Sequence, residues 1–195
     1  MSDSGLTVPV LLGSVRPERQ AIRAGRMLVD ALKAAGHEPV LVDPLELRLP
    51  LLERTYSEYH QGEAPAGLDE LAALYRRADG FIIVSGEYNH GIPPALKNLL
   101  DYFLEEYFWR ASGIVCYSAG QFGGVRAAMQ LRMTLGELGM PSIPTLLAIP
   151  RIAQALDEAG RPQQDWLAPA MADFLAEFGW YAAALKQGRA RGTPY

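Results

Sequence analysis

Short apolar runs alternate with helical patterns five times along this chain, and that alternation limits the possible folds more than any other feature. The runs are "LTVPVLLG" (Leu6–Gly13), "HEPVLVD" (His37–Asp43), "GFIIVSG" (Gly80–Gly86), "GIVCYS" (Gly113–Ser118) and "PSIPTLLAI" (Pro141–Ile149). Each has the length of a strand, and most are apolar nearly throughout. Strands of that kind are covered on both faces, which calls for a parallel sheet packed between helices. The prolines of the fifth run point to an edge, because proline cannot donate to a strand ladder.

The intervening segments carry the helices. From Arg19 to Ala35 small and apolar residues recur at helical spacing, and Gly36 ends the pattern. Further helices are expected over Leu68–Ala78, from Pro93 or Pro94 onward, over Val125–Leu138 and over Trp166–Leu185. Residues 44–67 read as a long irregular connection. Residues 151–164 are polar but too few to separate two domains, so one domain over residues 1–195 is expected. "LLDYFLEEYFW" (Leu99–Trp109) holds five aromatics. It reads either as core or as a contact surface between subunits, since one side of a short helix has limited room for such bulk.

Composition excludes several functions. A net charge of −4 with both signs interspersed gives no basic face for nucleic acid. The single cysteine, Cys116, rules out an internal disulfide and a thiolate metal cage, and it reads as a small buried strand residue. His37, His60 and His90 lie far apart without metal-ligand spacing, so no metal is expected. The opening "MSDSGLTVPV" lacks the basic region of a leader, and no apolar stretch reaches membrane-spanning length; a cytoplasmic protein is expected.

In an open α/β sheet, ligands bind beyond the carboxyl ends of the strands. The loops after the first, third and fourth strands carry the unusual residues. "GSVRPERQA" (Gly13–Ala21) leads into a helix N-terminus, where free N–H groups and the dipole favour an anion. Ser14 adds a hydroxyl, and Arg16 and Arg19 add planar forks suited to phosphate. The alternative, solvated surface charge, fits less well, because arginine is unfavourable at the positive end of a helix. The lysine-bearing phosphate loop and the G-x-G-x-x-G fingerprint are absent, so a terminal monophosphate fits better than a triphosphate.

"GEYNHG" (Gly86–Gly91) follows the third strand. A turn with a helix cap explains Asn89 and Gly91 but not Glu87, Tyr88 and His90 together. A tight turn beside an aromatic ring would suit a planar heterocycle. Gly91 is expected either to take a positive φ or to leave room for that ring. After the fourth strand, Gly120, Gly123 and Gly124 in "SAGQFGGVRAAMQ" would allow close backbone approach. "CYSAG" (Cys116–Gly120) resembles a hydrolase nucleophile elbow only loosely, and every histidine precedes Ser118, against the order that fold requires.

At these loops the sequence resembles the NADPH-dependent FMN reductase family. "GSVRPER" is similar to its G-S-x-R-x-x-R loop, "EYNHGIPPALKNLLDY" to its P-E-Y-N-x-x-x-P-G-x-L-K-N-x-x-D-W segment, and "SAGQFGGVRA" to its S-x-G-x-x-G-G-x-R-A stretch. The resemblance implies a flavodoxin-like fold, a five-stranded parallel sheet of order 2-1-3-4-5 with helices on both faces. It implies FMN, with Gly13, Ser14, Arg16, Arg19 and Gln20 around the phosphate. Glu87, Tyr88, Asn89, His90 and Gly91 would lie along the isoalloxazine, and Ser118, Ala119, Gly120 and Gln121 would close the other side.

It implies hydride transfer from NADPH (or NADH) to FMN and then to a quinone, flavin, azo compound or other small acceptor, and a homodimer or homotetramer. No side chain is singled out as a catalytic acid or base. Gly86 and Pro94 stand where the family usually has Pro and Gly, and Ala119 where many members carry a bulkier residue. The alternative function is a non-enzymatic FMN electron carrier or redox-sensing interaction protein.

Overall fold

The structure, a computed structural model, describes residues 5–195. Residues 1–4, which enter the reading of the opening segment and of the domain's extent, lie outside the described residues. In chain order the elements are β1 (Thr7–Leu12), α1 (Ala21–Ala34), β2 (Glu38–Val42), α2 (Pro44–Leu47), α3 (Leu68–Arg77), β3 (Gly80–Ser85), α4 (Pro94–Asp101), β4 (Ala111–Tyr117), α5 (Val125–Glu137), β5 (Ser142–Ile149), α6 (Ile152–Ala155) and α7 (Leu167–Arg189). The five strands form one parallel sheet in the order β2-β1-β3-β4-β5.

Every residue of β3 and β4 is buried, as a strand covered on both faces requires. Successive side chains point to opposite faces. Val10, Leu12, Ile82 and Val84 therefore meet α1 and α7 in one core, while Leu11, Phe81, Ile83 and Ile114 meet α3, α4 and α5 in the other. β5 forms an edge, with Pro144 and Thr145 exposed. Arg132 of α5 donates to Ser142 Oγ (2.9 Å), to the carbonyl of Ile143 (2.8 Å) and to the carbonyl of Pro144.

Several boundaries differ from expectation for identifiable reasons. β4 begins at Ala111, because Ala111 and Ser112 already pair with Gly80 and Phe81. α7 continues to Arg189, past the last residue of the apolar pattern. Its final turns are held by Asp79, which accepts from Lys186 Nζ (2.9 Å), Arg189 Nη2 (3.4 Å) and the amide of Thr7 (3.0 Å). The irregular connection after β2 contains α2, started by Pro44 and capped by Asp43, whose carboxylate accepts from the amide of Leu45 (3.0 Å). The aromatic stretch is mostly core: Tyr102, Phe103 and Tyr107 are buried. Phe103 and Tyr107 meet Tyr75 and Phe81 largely edge to face, so this part of the chain absorbs its own aromatics.

Candidate functional site

The strand order reverses between β1 and β3, and the loops leaving their carboxyl ends diverge there. Together with the loop after β4 they enclose a cleft of about 310 Å³. Of the fourteen residues expected at a ligand, eight line it: Ser14, Arg16, Arg19, Gln20, Glu87, Tyr88, Ser118 and Ala119. Gly13, Asn89, His90, Gly91, Gly120 and Gln121 do not line it; Gln121 lines a separate apolar hollow with Phe122 and Trp166. The cleft also takes in Pro17, Glu18, Gly86, Tyr117 and Ile152, which the sequence reading did not place there. It is smaller than three cavities elsewhere, one of about 400 Å³ beside Tyr56 and Arg76, one of about 510 Å³ beside Leu49 and Leu99, and the hollow of about 340 Å³ beside Phe122 and Trp166. Size alone therefore does not identify it; its place at the strand ends does.

The loop after β1 is built for an anion. α1 has no side-chain cap at its start and no acidic residue in its first turn, so its leading N–H groups have no anionic partner there. Gly13 packs with no room for a side chain, since a Cβ would lie 2.9 Å from the carbonyl of Val84. Ser14 Oγ and Tyr88 Oη share a hydrogen bond of 2.7 Å, which joins the first and third loops. Arg16 sits over the Tyr88 ring at 5.9 Å and makes no ion pair among the described residues. Arg19 instead pairs with the buried carboxylate of Asp43, which also caps α2. Arg19 Nε and Gln20 Oε1 are buried without a hydrogen-bond partner among the described residues. One is a donor and the other an acceptor, and leaving both unpaired is costly unless a ligand satisfies them.

The loop after β3 makes the tight turn expected of it, with the positive φ at other residues than Gly91. The amide of Tyr88 donates to the carbonyl of Gly91 (3.1 Å) and the amide of Gly91 donates to that of Tyr88 (2.9 Å). The two residues between them, Asn89 and His90, both have positive φ, 51° and 66°. This is a two-residue turn of the primed kind, and it corrects one of the two alternatives expected for Gly91, the positive φ. Gly91 does not have positive φ, and a Cβ there would make only ordinary contacts, 3.4 Å from Tyr88 O and 3.5 Å from Gln130 Oε1. The backbone strain lies one and two residues earlier.

Glu87 is explained by a cap at a distance. Its carboxylate accepts from the amides of Arg126 (3.1 Å) and Ala127 (3.4 Å) and meets Arg126 Nη1 at 3.4 Å. It thereby supplies the negative charge that the start of α5 favours.

In the loop after β4, Ser118 Oγ donates to the carbonyl of Gly120 (2.9 Å) and accepts from the amide of Gly123 (2.9 Å). Gly123 and Gly124 have positive φ, and a Cβ on Gly124 would lie 2.6 Å from the carbonyl of Tyr117. These two glycines serve the fold of the loop itself; Gly120 faces open space. Tyr117 ends β4 with its ring against Gly86, and a Cβ on Gly86 would approach that hydroxyl to 3.0 Å. Burial chiefly, with Tyr88 adding to it, raises the Tyr117 phenol well above its ordinary range, so it remains a neutral hydrogen-bonding group at the floor of the cleft. In the sequence it has no role beyond a place in the fourth apolar run. The signal available was a hydroxyl on the last strand residue before a ligand loop.

Among the described residues no group of three or more His, Cys, Asp or Glu could hold a metal ion.

A parallel sheet of this order, with an anion-seeking loop after its first strand and an aromatic wall after its third, defines a flavodoxin-like nucleotide-binding protein. The NADPH-dependent FMN reductase family pattern matches residues 6–154, and the chain belongs to that family. It is 33% identical over 135 residues to a quinone reductase of Escherichia coli K12, covering 67% of this chain and 69% of that one. A match to an NAD(P)H-dependent FMN reductase of Schizosaccharomyces pombe reaches 41% over 76 residues, but spans only 38% of this chain and 37% of that protein. Among solved structures, the NAD(P)H:acceptor oxidoreductase FerB of Paracoccus denitrificans superposes with a TM-score of 0.71 at 19% identity, covering 90% and 97% of the two chains; that likeness concerns the fold.

Proposed function

We propose that this chain is an NAD(P)H-dependent oxidoreductase that holds FMN in the cleft between its first, third and fourth strand loops. The observation that carries the reading is the unpaired pair of buried polar atoms, Arg19 Nε and Gln20 Oε1, beside an uncapped helix start. A ribityl phosphate offers acceptor oxygens to the one and hydroxyl donors to the other. When bound, FMN supplies the redox chemistry, taking hydride from NADPH or NADH and passing electrons to a quinone, flavin, azo compound or other small acceptor.

The chain's own residues bind and orient. Ser14, Arg16, Arg19 and Gln20 surround the phosphate, with Gly13 setting the loop against β3. Tyr88 and the Asn89–Gly91 turn flank one side of the ring system, with Glu87 anchoring their loop to α5. Ser118, Ala119, Gly120 and Gln121 flank the other, and Tyr117 closes the floor. No side chain is assigned as acid or base.

The test compares FMN with riboflavin, which lacks the phosphate. A charge-assisted hydrogen bond contributes about 1.5–3 kcal/mol, so Arg16→Ala is expected to weaken FMN about tenfold or more and riboflavin far less. Equal losses for both would overturn the phosphate assignment. Steady-state NADPH oxidation with a quinone checks the enzymatic reading; a protein that binds FMN but does not turn over is a carrier.

Three finer readings belong with this proposal. Residues 1–195 form one FMN-binding domain, supported by two cores that lie on the faces of a single five-stranded sheet. The protein acts in the cytoplasm, supported by the absence of any described helix long and apolar enough to cross a membrane. It self-associates as a homodimer or homotetramer, supported by Phe122, Met129 and Met133, exposed together along α5 and the loop before it. A monomer by light scattering at micromolar concentration would overturn the last.

A further inference from the structure

Beside the flavin cleft, and sharing no lining residue with it, lies an apolar groove of about 510 Å³. Its walls are Val15, Leu45, Leu49, Leu51, Pro94 and Leu99. Leu51 is 82% exposed, and Val15 and Leu45 are also exposed. Contiguous apolar surface of this kind marks a place where something binds.

Its two polar members differ sharply. Asn98 is engaged within the protein at both polar atoms: its Oδ1 accepts from the amide of Leu52 (2.9 Å) and its Nδ2 donates to the carbonyl of Pro50 (2.8 Å). It carries no charge. Arg48 is exposed, and among the described residues its guanidinium makes neither a hydrogen bond nor an ion pair. Arg48 is also the residue that ends α2, in the left-handed conformation with φ 50°. Glycine takes that conformation without strain, and a side chain there costs energy. The position therefore carries a cation at the expense of the cap.

We propose that this groove binds a single-chain carboxylate of fatty-acid type, its alkyl chain along the leucine and proline walls and its carboxylate on Arg48. One cation at the edge of an otherwise apolar groove complements one anionic head on one chain. It is too little charge to hold a membrane surface, which takes a cluster of basic residues. The site is independent of the flavin reading, since none of its residues is assigned to FMN.

The experiment is calorimetric titration of the purified protein with decanoate, decanol and decyltrimethylammonium below their aggregation concentrations, with light scattering on the same samples. Decanoate is expected to bind one to one, more tightly than decanol by about tenfold, and the cation more weakly than either. Shortening the chain from decanoate to octanoate removes two methylenes and is expected to weaken binding by about tenfold. Arg48→Gly is expected to remove the preference for decanoate over decanol while keeping or raising the melting temperature, so lost binding cannot be blamed on lost folding. Ala95→Trp, which fills the groove, is expected to abolish binding of decanoate and decanol alike and leave the flavin titration unchanged. No saturable binding, equal affinity for the three head groups, or decanoate affinity that falls as the protein associates would each overturn the proposal, the last by showing that a second copy of the chain covers the groove.

Discussion

Replacing Asp43 by Asn isolates the ion pair that ties the loop after β1 to α2. The side chains of Arg19 and Asp43 are only 14% and 5% exposed, so the pair is shielded from solvent and salt. Asparagine keeps the shape and still offers Oδ1 to the amide of Leu45, the capping bond of 3.0 Å. What it removes is the negative charge opposite Arg19. Stripping one partner from a buried pair costs about 3–5 kcal/mol, because the other charge stays buried without compensation. In a domain of this size each kcal/mol moves the melting temperature by about 2–4 °C. Asp43→Asn is therefore expected to melt about 6–20 °C below the parent without ligand.

The same change leaves an anionic ligand as the remaining counter-charge for Arg19. FMN is expected to restore more of the melting temperature in the variant than it adds to the parent, and riboflavin is not. The assay is a set of thermal melts of both proteins alone, with FMN and with riboflavin, alongside urea unfolding to convert shifts into free energy. A destabilisation below about 1 kcal/mol would show that the pair is effectively solvated. Equal rescue by riboflavin would show that Arg19 does not meet a phosphate.

Two other outcomes follow from the geometry. His90 occupies a left-handed position that glycine takes freely, so His90→Gly is expected to stabilise the fold by about 0.5–1 kcal/mol in urea titration, after the entropy that glycine adds to the unfolded chain; a loss would mean that the His90 side chain contributes more than its backbone strain costs. Burial pushes the Cys116 thiol from its ordinary 9.0 up to about 12, so the native protein is expected to resist thiol reagents at pH 8 and react on unfolding. Because the folded value is the higher one, this thiol's share of stability is intact below pH 9 and is lost as pH rises toward about 12. Cys116→Ala is expected to flatten that decline by about one proton, roughly 1.4 kcal/mol per pH unit, in unfolding measured across the window.

The sheet was legible because both its signals are local. Continuous apolar runs mark strands buried on two faces, and Gly36 and Pro94 mark helix ends by chemistry that acts within a few residues. The anion loop was legible for the same reason: Ser14, Arg16 and Arg19 are adjacent in sequence and remain together in space. What escaped depends on partners far along the chain. The capping role of Glu87, which also lines the cleft, was hidden because the amides it caps lie 39 and 40 residues later. Arg19 looked free because Asp43 sits across a helix and a strand. Gly91 drew attention as the glycine of the turn, yet φ is positive at Asn89 and His90, and residue type alone does not reveal which member of a turn bears the strain. Tyr117 was hidden by its surroundings, since a strand-ending tyrosine has the same hydropathy whether its hydroxyl meets packing or an opening.

The outer margin of β5 has a consequence for crowded conditions. A parallel sheet ends in two raw borders, and a border of free amides and carbonyls invites extension by any extended segment, including those of unfolded neighbours. Here Pro144 removes one amide from that border, and the guanidinium of Arg132 already occupies the carbonyls of Ile143 and Pro144. An incoming segment would have to displace a charged fork before it could lay down its first ladder bond. The start of this last strand is thus a poor template for growth.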